Sequence, residues 1–103
     1  MRIILMYDLP MTTANDRRIY SKFHRNLIRE GFYMLQFSVY VKLAINRTVC
    51  DQIRLRIKKI KPEKGFVSLL EVTEKQFASM EFIAGTHSSN VLSTTDRITF
   101  FED

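Results

Sequence analysis

Hydrophobic and polar positions alternate with two different periods along this chain, which predicts a mixed fold of strands and helices. An almost unbroken apolar run from Ile3 to Tyr7 ends on the carboxylate of Asp8, and Pro10 follows closely. The run is too short for a helix and is apolar at successive positions, which is typical of a central strand. Because proline cannot donate to a sheet ladder, we expect the strand to end near Asp8.

The segment after this strand has the signals of a helix followed by extended chain. Thr13 and Asp16 resemble a capping box, and Gly31 is a good terminator, so we expect a helix that ends at about Glu30. Residues 32–43 are rich in aromatic and β-branched side chains, which predicts extended structure. At twelve residues the segment is either one long strand or two strands with a tight turn near residues 36–38.

A second amphipathic helix is predicted after this extended segment. Asn46 is a plausible N-cap, with Thr48 and Asp51 as an alternative capping pair. Apolar residues then recur at spacings of four, four and three, and this pattern places them on one helical stripe that faces a sheet. The residues of this stripe are Val49, Ile53, Ile57 and Ile60.

The rest of the chain has weaker signals. We expect a turn at 61–65, a strand at 66–73, a turn or one helical turn at 74–79, a short strand at 80–84, a loop at 85–95 and a last strand at 96–101. If residues 32–43 form two strands, the order is βαββαβ. That order is the ferredoxin-like fold, an α+β antiparallel sheet with two helices on one face.

We therefore expect a single domain over residues 1–103, with a core at 1–84 and an extension at 85–103. Strands beyond a complete small sheet have little left to cover in their own chain. We expect them to pair with a second protomer in a symmetric homodimer.

The composition favours a polyanionic partner. Sixteen Lys and Arg residues outweigh eleven Asp and Glu, which gives a net charge of +5 and a pI near 9.6. The alternative is a basic protein with no special ligand. Cys50 is the only cysteine, so no internal disulfide can form. We expect no membrane segment and no secretory signal, and a cytoplasmic location.

The first helix has the best-organised charged surface. Four cations at spacings of four, three and four share one face, opposite the apolar side. Such a row matches the phosphates of a duplex, although a solvated face is the alternative. We call these residues the first-helix stripe: Arg18, Lys22, Arg25 and Arg29. The cations of the second helix spread around its circumference, and we expect them to be solvated.

Asp8 has three possible roles: a hydrogen bond to the following turn, an ion pair with an arginine of the first helix, or a ligand for a divalent metal. One protomer supplies one carboxylate, and a two-fold axis near Asp8 supplies two. A metal held there polarises a phosphodiester and activates water. We expect His24 to be structural or solvated rather than catalytic, and His87 to have no catalytic partner. We expect Phe37 and Tyr40 to pack in the core rather than stack on bases.

Four short motifs occur in a specific order and spacing: Met-Tyr-Asp-Leu-Pro at 6–10, Arg17-Arg18, Glu-Gly-Phe at 30–32, and Gln-Phe-Ser-Val-Tyr at 36–40. Together they resemble the second CRISPR-associated protein family, the small nuclease-like subunit of the spacer-acquisition complex. The segment 72–77 is similar to the branch found with type II systems, and the resemblance runs to about residue 84 and again over the final strand.

The resemblance implies a ferredoxin-like homodimer in which Asp8 holds a divalent metal, Mg²⁺ or another such as Mn²⁺, shared between protomers. It implies a metal-dependent endonuclease acting on RNA or DNA, and a tight strand junction at 36–40. It also implies that the dimer bridges two dimers of the CRISPR integrase and holds duplex DNA on its basic surface, with the tail strand in protomer exchange or the integrase contact. We accordingly place nucleic-acid contacts on Arg17 and the first-helix stripe.

Two functions of different class follow. In the first, the protein hydrolyses phosphodiesters with its paired Asp8 carboxylates. In the second, it is a DNA-binding scaffold and the integrase performs all the chemistry; the single visible acidic ligand favours this role in the cell. A small ligand-binding regulatory module is disfavoured by the basic first helix, although the fold alone permits it.

Overall fold

A computed structural model describes residues 1–85, which form a four-stranded antiparallel sheet with two long helices packed on one face. The strands lie in the order β2-β3-β1-β4, which confirms the ferredoxin-like prediction. Central strand β1 pairs with β3 on one side and with β4 on the other. The elements are β1 Arg2–Asp8, α1 Ala14–Arg29, β2 Tyr33–Gln36, β3 Val39–Leu43, α2 Arg47–Ile60, β4 Phe66–Val72 and α3 Glu74–Ala78.

The long extended segment divides into β2 and β3 at a tight turn. Ser38 adopts a positive φ of 67°, so the chain reverses there without a glycine. The β2–β3 pairing is irregular between Met34 and Gln36, just before the turn. Of the two alternatives that the sequence left open for residues 32–43, the structure has two strands and not one long strand.

The helix ends follow the local signals. The Thr13 side chain accepts from the Asp16 N–H while the Asp16 carboxylate accepts from the Thr13 N–H, a complete capping box. The Asn46 side chain accepts from the Val49 N–H, so Asn46 is the N-cap of α2. Gly31 follows α1 with a φ of 91°, as expected of a helix terminator.

The main core lies between the sheet and the two helices. Side chains of β1 at alternate positions, such as Leu5, pack against Phe23 and Leu27 of α1 and Ile53 of α2, all fully or almost fully buried. Tyr40 from β3 is also fully buried there, as predicted. Burial of this apolar surface is the main force that holds the helices on the sheet.

A smaller cluster occupies part of the opposite sheet face. Phe77 of α3 packs there against β-strand side chains, and the buried guanidinium of Arg2 lies 4.7 Å from the centre of its ring. Arg2 is only 2% exposed; its Nε donates to both carboxylate oxygens of Glu74 at 3.1 and 2.9 Å, and its Nη1 donates to the Tyr33 hydroxyl at 2.8 Å. These bonds compensate the burial of a charge and fix α3 on the sheet.

One strand prediction was wrong. Residues 80–84 form no strand, because the chain leaving α3 stays over the sheet face, where Met80 and Phe82 pack on the smaller cluster. The final strand predicted at 96–101 and most of the loop before it lie outside the described residues. Within residues 1–85, none of the helices has the length and apolar character needed to cross a membrane.

Candidate metal and nucleic-acid site

The carboxylate of Asp8 stands at the end of the central strand. Asp8 is the last residue of β1, its side chain is exposed, and it lies opposite Phe66 of β4 in the strand register. Within residues 1–85, its side chain makes no hydrogen bond or ion pair, so the turn-capping and arginine-pairing roles are not used there. This leaves the oxygens of Asp8 available to a ligand.

The backbone around Asp8 is closely fitted. Gly65 has a φ of 84°, and a Cβ atom on it would lie 2.5 Å from the Asp8 carbonyl oxygen and 2.6 Å from Leu9 Cδ2. The sequence marked Gly65 only as part of a turn, and its close approach to β1 depends on the β1–β4 pairing. This close fit fixes the backbone position from which the Asp8 side chain projects.

A single chain offers too few ligands for a closed metal site. Among the described residues, no group of three or more His, Cys, Asp or Glu side chains is close enough to hold an ion. Mg²⁺ takes oxygen ligands and keeps several waters, so two carboxylates and a substrate phosphate are a sufficient set. The donor set of Asp8 therefore fits such an ion when a second copy contributes its own Asp8.

Asp8 shares its face of the sheet with exposed apolar side chains. The strand register places Met6, Phe66 and Leu70 on the face that α1 and α2 do not cover, and all three are exposed. Phe66 is 76% exposed. In the sheet of residues 1–85, β4 is also an edge strand. We call this region, the β4 side of that sheet face, the open face.

The first-helix stripe is exposed and has no acidic partner within residues 1–85. The two acidic residues closest to it, Asp16 and Glu30, are paired with cations from outside the helix. Lys64 Nζ lies 2.9 Å from Asp16 Oδ1, and Arg56 Nε lies 2.6 Å from Glu30 Oε1. The positive charge of the stripe is therefore uncompensated locally, as the sequence predicted.

Arg17, which the resemblance adds to these contacts, is exposed beside the stripe. Its Nη1 donates to the carbonyl oxygens of Met11 and Thr12 at 3.5 and 3.2 Å, and Arg18 Nη1 donates to Asn15 Oδ1 at 3.0 Å. These acceptors are neutral, so no carboxylate within residues 1–85 forms an ion pair with either guanidinium group.

Arg54 and Arg56 of α2 form ion pairs, although they were predicted to be solvated, and Arg47, for which no specific role was predicted, is paired as well. Arg47 Nη1 lies 2.7 Å from Glu71 Oε1, and Arg54 pairs with both Glu71 and Asp51. Arg56 is held by Glu30. Glu71 and Glu30 lie 17 to 26 positions from these arginines, a distance that helical periodicity cannot show, whereas Asp51 is a neighbour of Arg54 on the same helix. The ion pairs offset part of the positive charge of α2.

A chain of hydrogen bonds connects the core to α1. The Tyr7 hydroxyl donates to the Tyr40 hydroxyl at 3.2 Å, and Tyr40 is hydrogen-bonded to His24 Nδ1. Burial raises the pKa of both tyrosine hydroxyls above the usual value, so they stay protonated at neutral pH and are not general bases. His24 has the structural role that we expected.

Phe37 is not in the core, and that prediction was wrong. The ring is 67% exposed and stacks on Tyr20 of α1, with centroids 5.6 Å apart and planes at 21°. The turn at Ser38 places Phe37 outside the regular alternation of the two strands, so the periodicity assigned it to the wrong environment. The sequence did contain one signal that Phe37 is exposed, namely its place within the possible turn near residues 36–38.

Comparison with known proteins identifies the family. The family model for CRISPR associated protein Cas2 matches residues 1–80. Proteins named CRISPR-associated endoribonuclease Cas2 are similar over nearly the whole chain. That of Treponema denticola is 47% identical over 98 residues, covering 95% of this chain and 97% of that protein. That of Streptococcus mutans is 44% identical over 100 residues, covering 97% and 92%. On this evidence of sequence and fold, the chain belongs to the Cas2 family of CRISPR-associated proteins.

Proposed function

We propose that this protein is a homodimeric, metal-dependent endonuclease that binds duplex DNA and bridges the CRISPR integrase during spacer acquisition. The observation that carries the proposal is the exposed, unengaged carboxylate of Asp8 beside an apolar open face. Relatives at 40–47% identity are named endoribonucleases, so RNA is also a candidate substrate.

A two-fold axis at the open face accounts for both the unengaged carboxylate of Asp8 and the exposed apolar side chains beside it. Burying Phe66 and Leu70 against their symmetry mates removes apolar surface from water, which favours association. The same contact brings a second Asp8 to the first, since Asp8 and Phe66 are partners in the strand register. Mg²⁺ or Mn²⁺ held by the pair supplies Lewis-acid chemistry for phosphodiester hydrolysis.

Duplex binding is assigned to Arg17 and the first-helix stripe. Both acids near the stripe are neutralised within the fold, so its cations are free to replace counterions along a phosphate backbone. Such contacts position a duplex without reading its sequence, which suits a protein that handles DNA fragments of any origin. The integrase contact rests on the family resemblance alone.

The test is the substitution Asp8→Asn, with Glu63→Gln as the matched control. Both changes remove one exposed negative charge. With labelled RNA and duplex DNA in Mg²⁺ or Mn²⁺, we expect D8N to lose at least about 100-fold in cleavage rate. We expect its affinity for duplex DNA, measured in EDTA, to stay the same or rise. E63Q should cleave like the wild type. Unchanged cleavage by D8N overturns the metal assignment.

A second candidate, the scaffold without chemistry of its own, is favoured by a specific observation. Within residues 1–85, each chain offers one carboxylate at the site, and the nearby buried tyrosines are protonated phenols. A spacer-acquisition assay in cells separates the two. If D8N acquires spacers at the wild-type rate while its purified form cannot cleave, the role in the cell is that of a scaffold.

A further inference from the structure

An aromatic pocket lies beside the first-helix stripe and has no role in the function proposed above. It is an open concavity of about 330 Å³ at the surface between α1 and the β2–β3 turn. Phe37 forms part of its wall with a largely exposed ring, which Tyr20 supports from below by stacking. We call it the Phe37 pocket, and its lining residues are Tyr20, Ser21, His24, Arg25, Met34 and Phe37.

We propose that the Phe37 pocket binds one unpaired nucleobase of a nucleic-acid strand, with the base stacked on the Phe37 ring. This inference rests on the proposed function in one respect, namely that the protein binds nucleic acid. A flat exposed aromatic ring next to a cation is how proteins hold unpaired bases, because every base has a π-face. Arg25, a member of the stripe, supplies positive charge for the adjoining phosphate.

The charge of the pocket supports this occupant. No Asp or Glu is among its lining residues, and Arg25 is exposed with no acidic partner within residues 1–85. The pocket therefore continues the positive surface of α1 and is complementary to an anionic strand. A base in an intact duplex is stacked on its neighbours, so only an unpaired nucleotide presents a free face to Phe37.

The position of the pocket relates it to Asp8. The Tyr7 N–H donates to the Ser38 carbonyl oxygen at 3.1 Å. Asp8 follows Tyr7 in the sequence and Phe37 precedes Ser38, so both lie at the same end of the sheet. The pocket lies on the helix-covered face and Asp8 on the open face, so a strand that reaches both must pass around this end of the sheet. We infer that the protein prefers an unpaired segment at this position to continuous duplex.

The first experiment compares the wild type with Phe37→Ala and the control Ile45→Ala. Ile45 is 78% exposed, in the loop after β3 at the opposite end of that strand. We expect F37A to lose about tenfold in affinity for a single-stranded 12-mer and less than twofold for a blunt duplex. I45A should change neither. The 12-mer is supplied as RNA and as DNA; a loss with either one supports the pocket and identifies the strand type.

The second experiment uses fluorescence, because the chain has no tryptophan. Phe37→Trp keeps a stacking ring, so we expect near wild-type affinity for the 12-mer and strong quenching of the tryptophan when it binds. Quenching should be weak with blunt duplex and absent in Ile45→Trp with either ligand. This variant also keeps the test valid if F37A folds poorly.

The outcomes distinguish this inference from the proposed function. If the wild type binds both ligands and F37A binds the single strand equally well, the stacking site is refuted and the proposed function stands. If F37A loses duplex and single strand in equal measure, the ring is not selective for an unpaired base and the inference also fails. A wild type that binds neither ligand overturns the proposed function itself.

Discussion

The backbone N–H of Tyr7 donates to the carbonyl oxygen of Ser38 at 3.1 Å, and this bond joins the end of the central strand to the β2–β3 turn. Asp8 follows Tyr7 in the sequence, and Phe37 precedes Ser38. Helix α1 begins at Ala14, soon after the same strand end, so its first cations also lie there. One end of the sheet thus holds a carboxylate on the open face, and an exposed aromatic ring and positive charge on the side of α1.

The first prediction concerns the stripe. Replacing Arg18, Lys22 and Arg25 together by Gln removes three counterion-releasing contacts, so we expect weaker duplex binding for all sequences. The slope of log affinity against log salt should become shallower by about 2.7, because each of the three phosphate contacts contributes about 0.9. The affinity deficit should then be roughly 40-fold larger at 50 mM than at 200 mM salt. Fluorescence anisotropy across a salt series measures both quantities.

The matched control for the stripe removes the same charge from the C-terminal end of α2 and its C-cap residue. Lys58→Gln, Lys59→Gln and Lys61→Gln, combined, change the net charge equally, and all three side chains are exposed. We expect this variant to keep most of the wild-type slope. Equal losses from the two triple variants would show that net charge, and not the arrangement on α1, determines binding.

The second prediction concerns the open face. Phe66→Glu places a charge where an apolar ring would be buried against its symmetry mate. We expect the dissociation constant of the homodimer to rise at least about 30-fold, as for an aromatic residue at the centre of an interface. Analytical ultracentrifugation across a concentration series measures it. Because Asp8 and Phe66 are register partners, cleavage should fall in parallel with dimer content.

Ile45→Glu is the control for the open face. Ile45 is as exposed as Phe66 but lies outside β1 and β4, so we expect the dimer to survive this change. A wild type that sediments as a monomer at all concentrations would refute the shared metal site, and a Phe66→Glu variant that dimerises normally would place the interface elsewhere.

Signals that span a few residues predicted the fold well. The Thr13–Asp16 capping box, the Asn46 cap and the end of β1 near Pro10 all depend on neighbours in sequence, and the structure contains each of them. The position of Asp8 at the end of β1 was predicted in the same way, since a charged residue that closes an apolar strand is visible in the sequence. The uncompensated stripe on α1 was found by helical periodicity.

The features that sequence reasoning missed depend on distant partners. Arg2 had no assigned role, yet it is buried against Glu74, 72 positions along the chain. The apolar alternation of residues 80–84 is the same for a strand and for a segment that covers a sheet face. The exposure of Phe37 follows from the turn at Ser38, which has a positive φ. The sequence has no glycine beside Ser38 that would have indicated this turn.

The third prediction concerns Gly65, which supports Asp8. In Gly65→Ala the new methyl group would overlap the Asp8 carbonyl oxygen and Leu9, while the positive φ adds backbone strain. We expect a loss of more than about 2 kcal/mol in the free energy of unfolding and a lower cleavage rate, because β1 must move at the site. Urea denaturation and the cleavage assay measure these effects.

Gly31→Ala separates strain from displacement. Gly31 also has a positive φ, but a Cβ atom there meets only the flexible end of Lys42, away from Asp8. We expect a loss of about 1–2 kcal/mol from backbone strain alone, with cleavage unchanged. If the two alanine variants lose cleavage to the same extent, Gly65 has no special part in positioning Asp8.

The fourth prediction concerns pH and the ion pair that neutralises the start of α1. The hydrogen bond from Lys64 Nζ, followed by that from the Thr13 N–H, lowers the pKa of Asp16 below its ordinary value of 3.8. A carboxyl group with a lowered pKa in the folded state stabilises the fold at pH above its unfolded pKa. That stability is lost as pH falls through the folded pKa. We therefore expect Asp16→Asn to be less stable than the wild type at pH 7, with the difference shrinking below about pH 4.

Urea denaturation at pH 7, 4 and 2.5 measures the trend. Lys64→Met is the control, because it removes the largest cause of the lowered Asp16 pKa. In the Lys64→Met background, Asp16→Asn should show a weaker pH dependence. A difference that stays constant from pH 7 to 2.5 would mean that Asp16 acts through its capping bond to Thr13 and not through its charge.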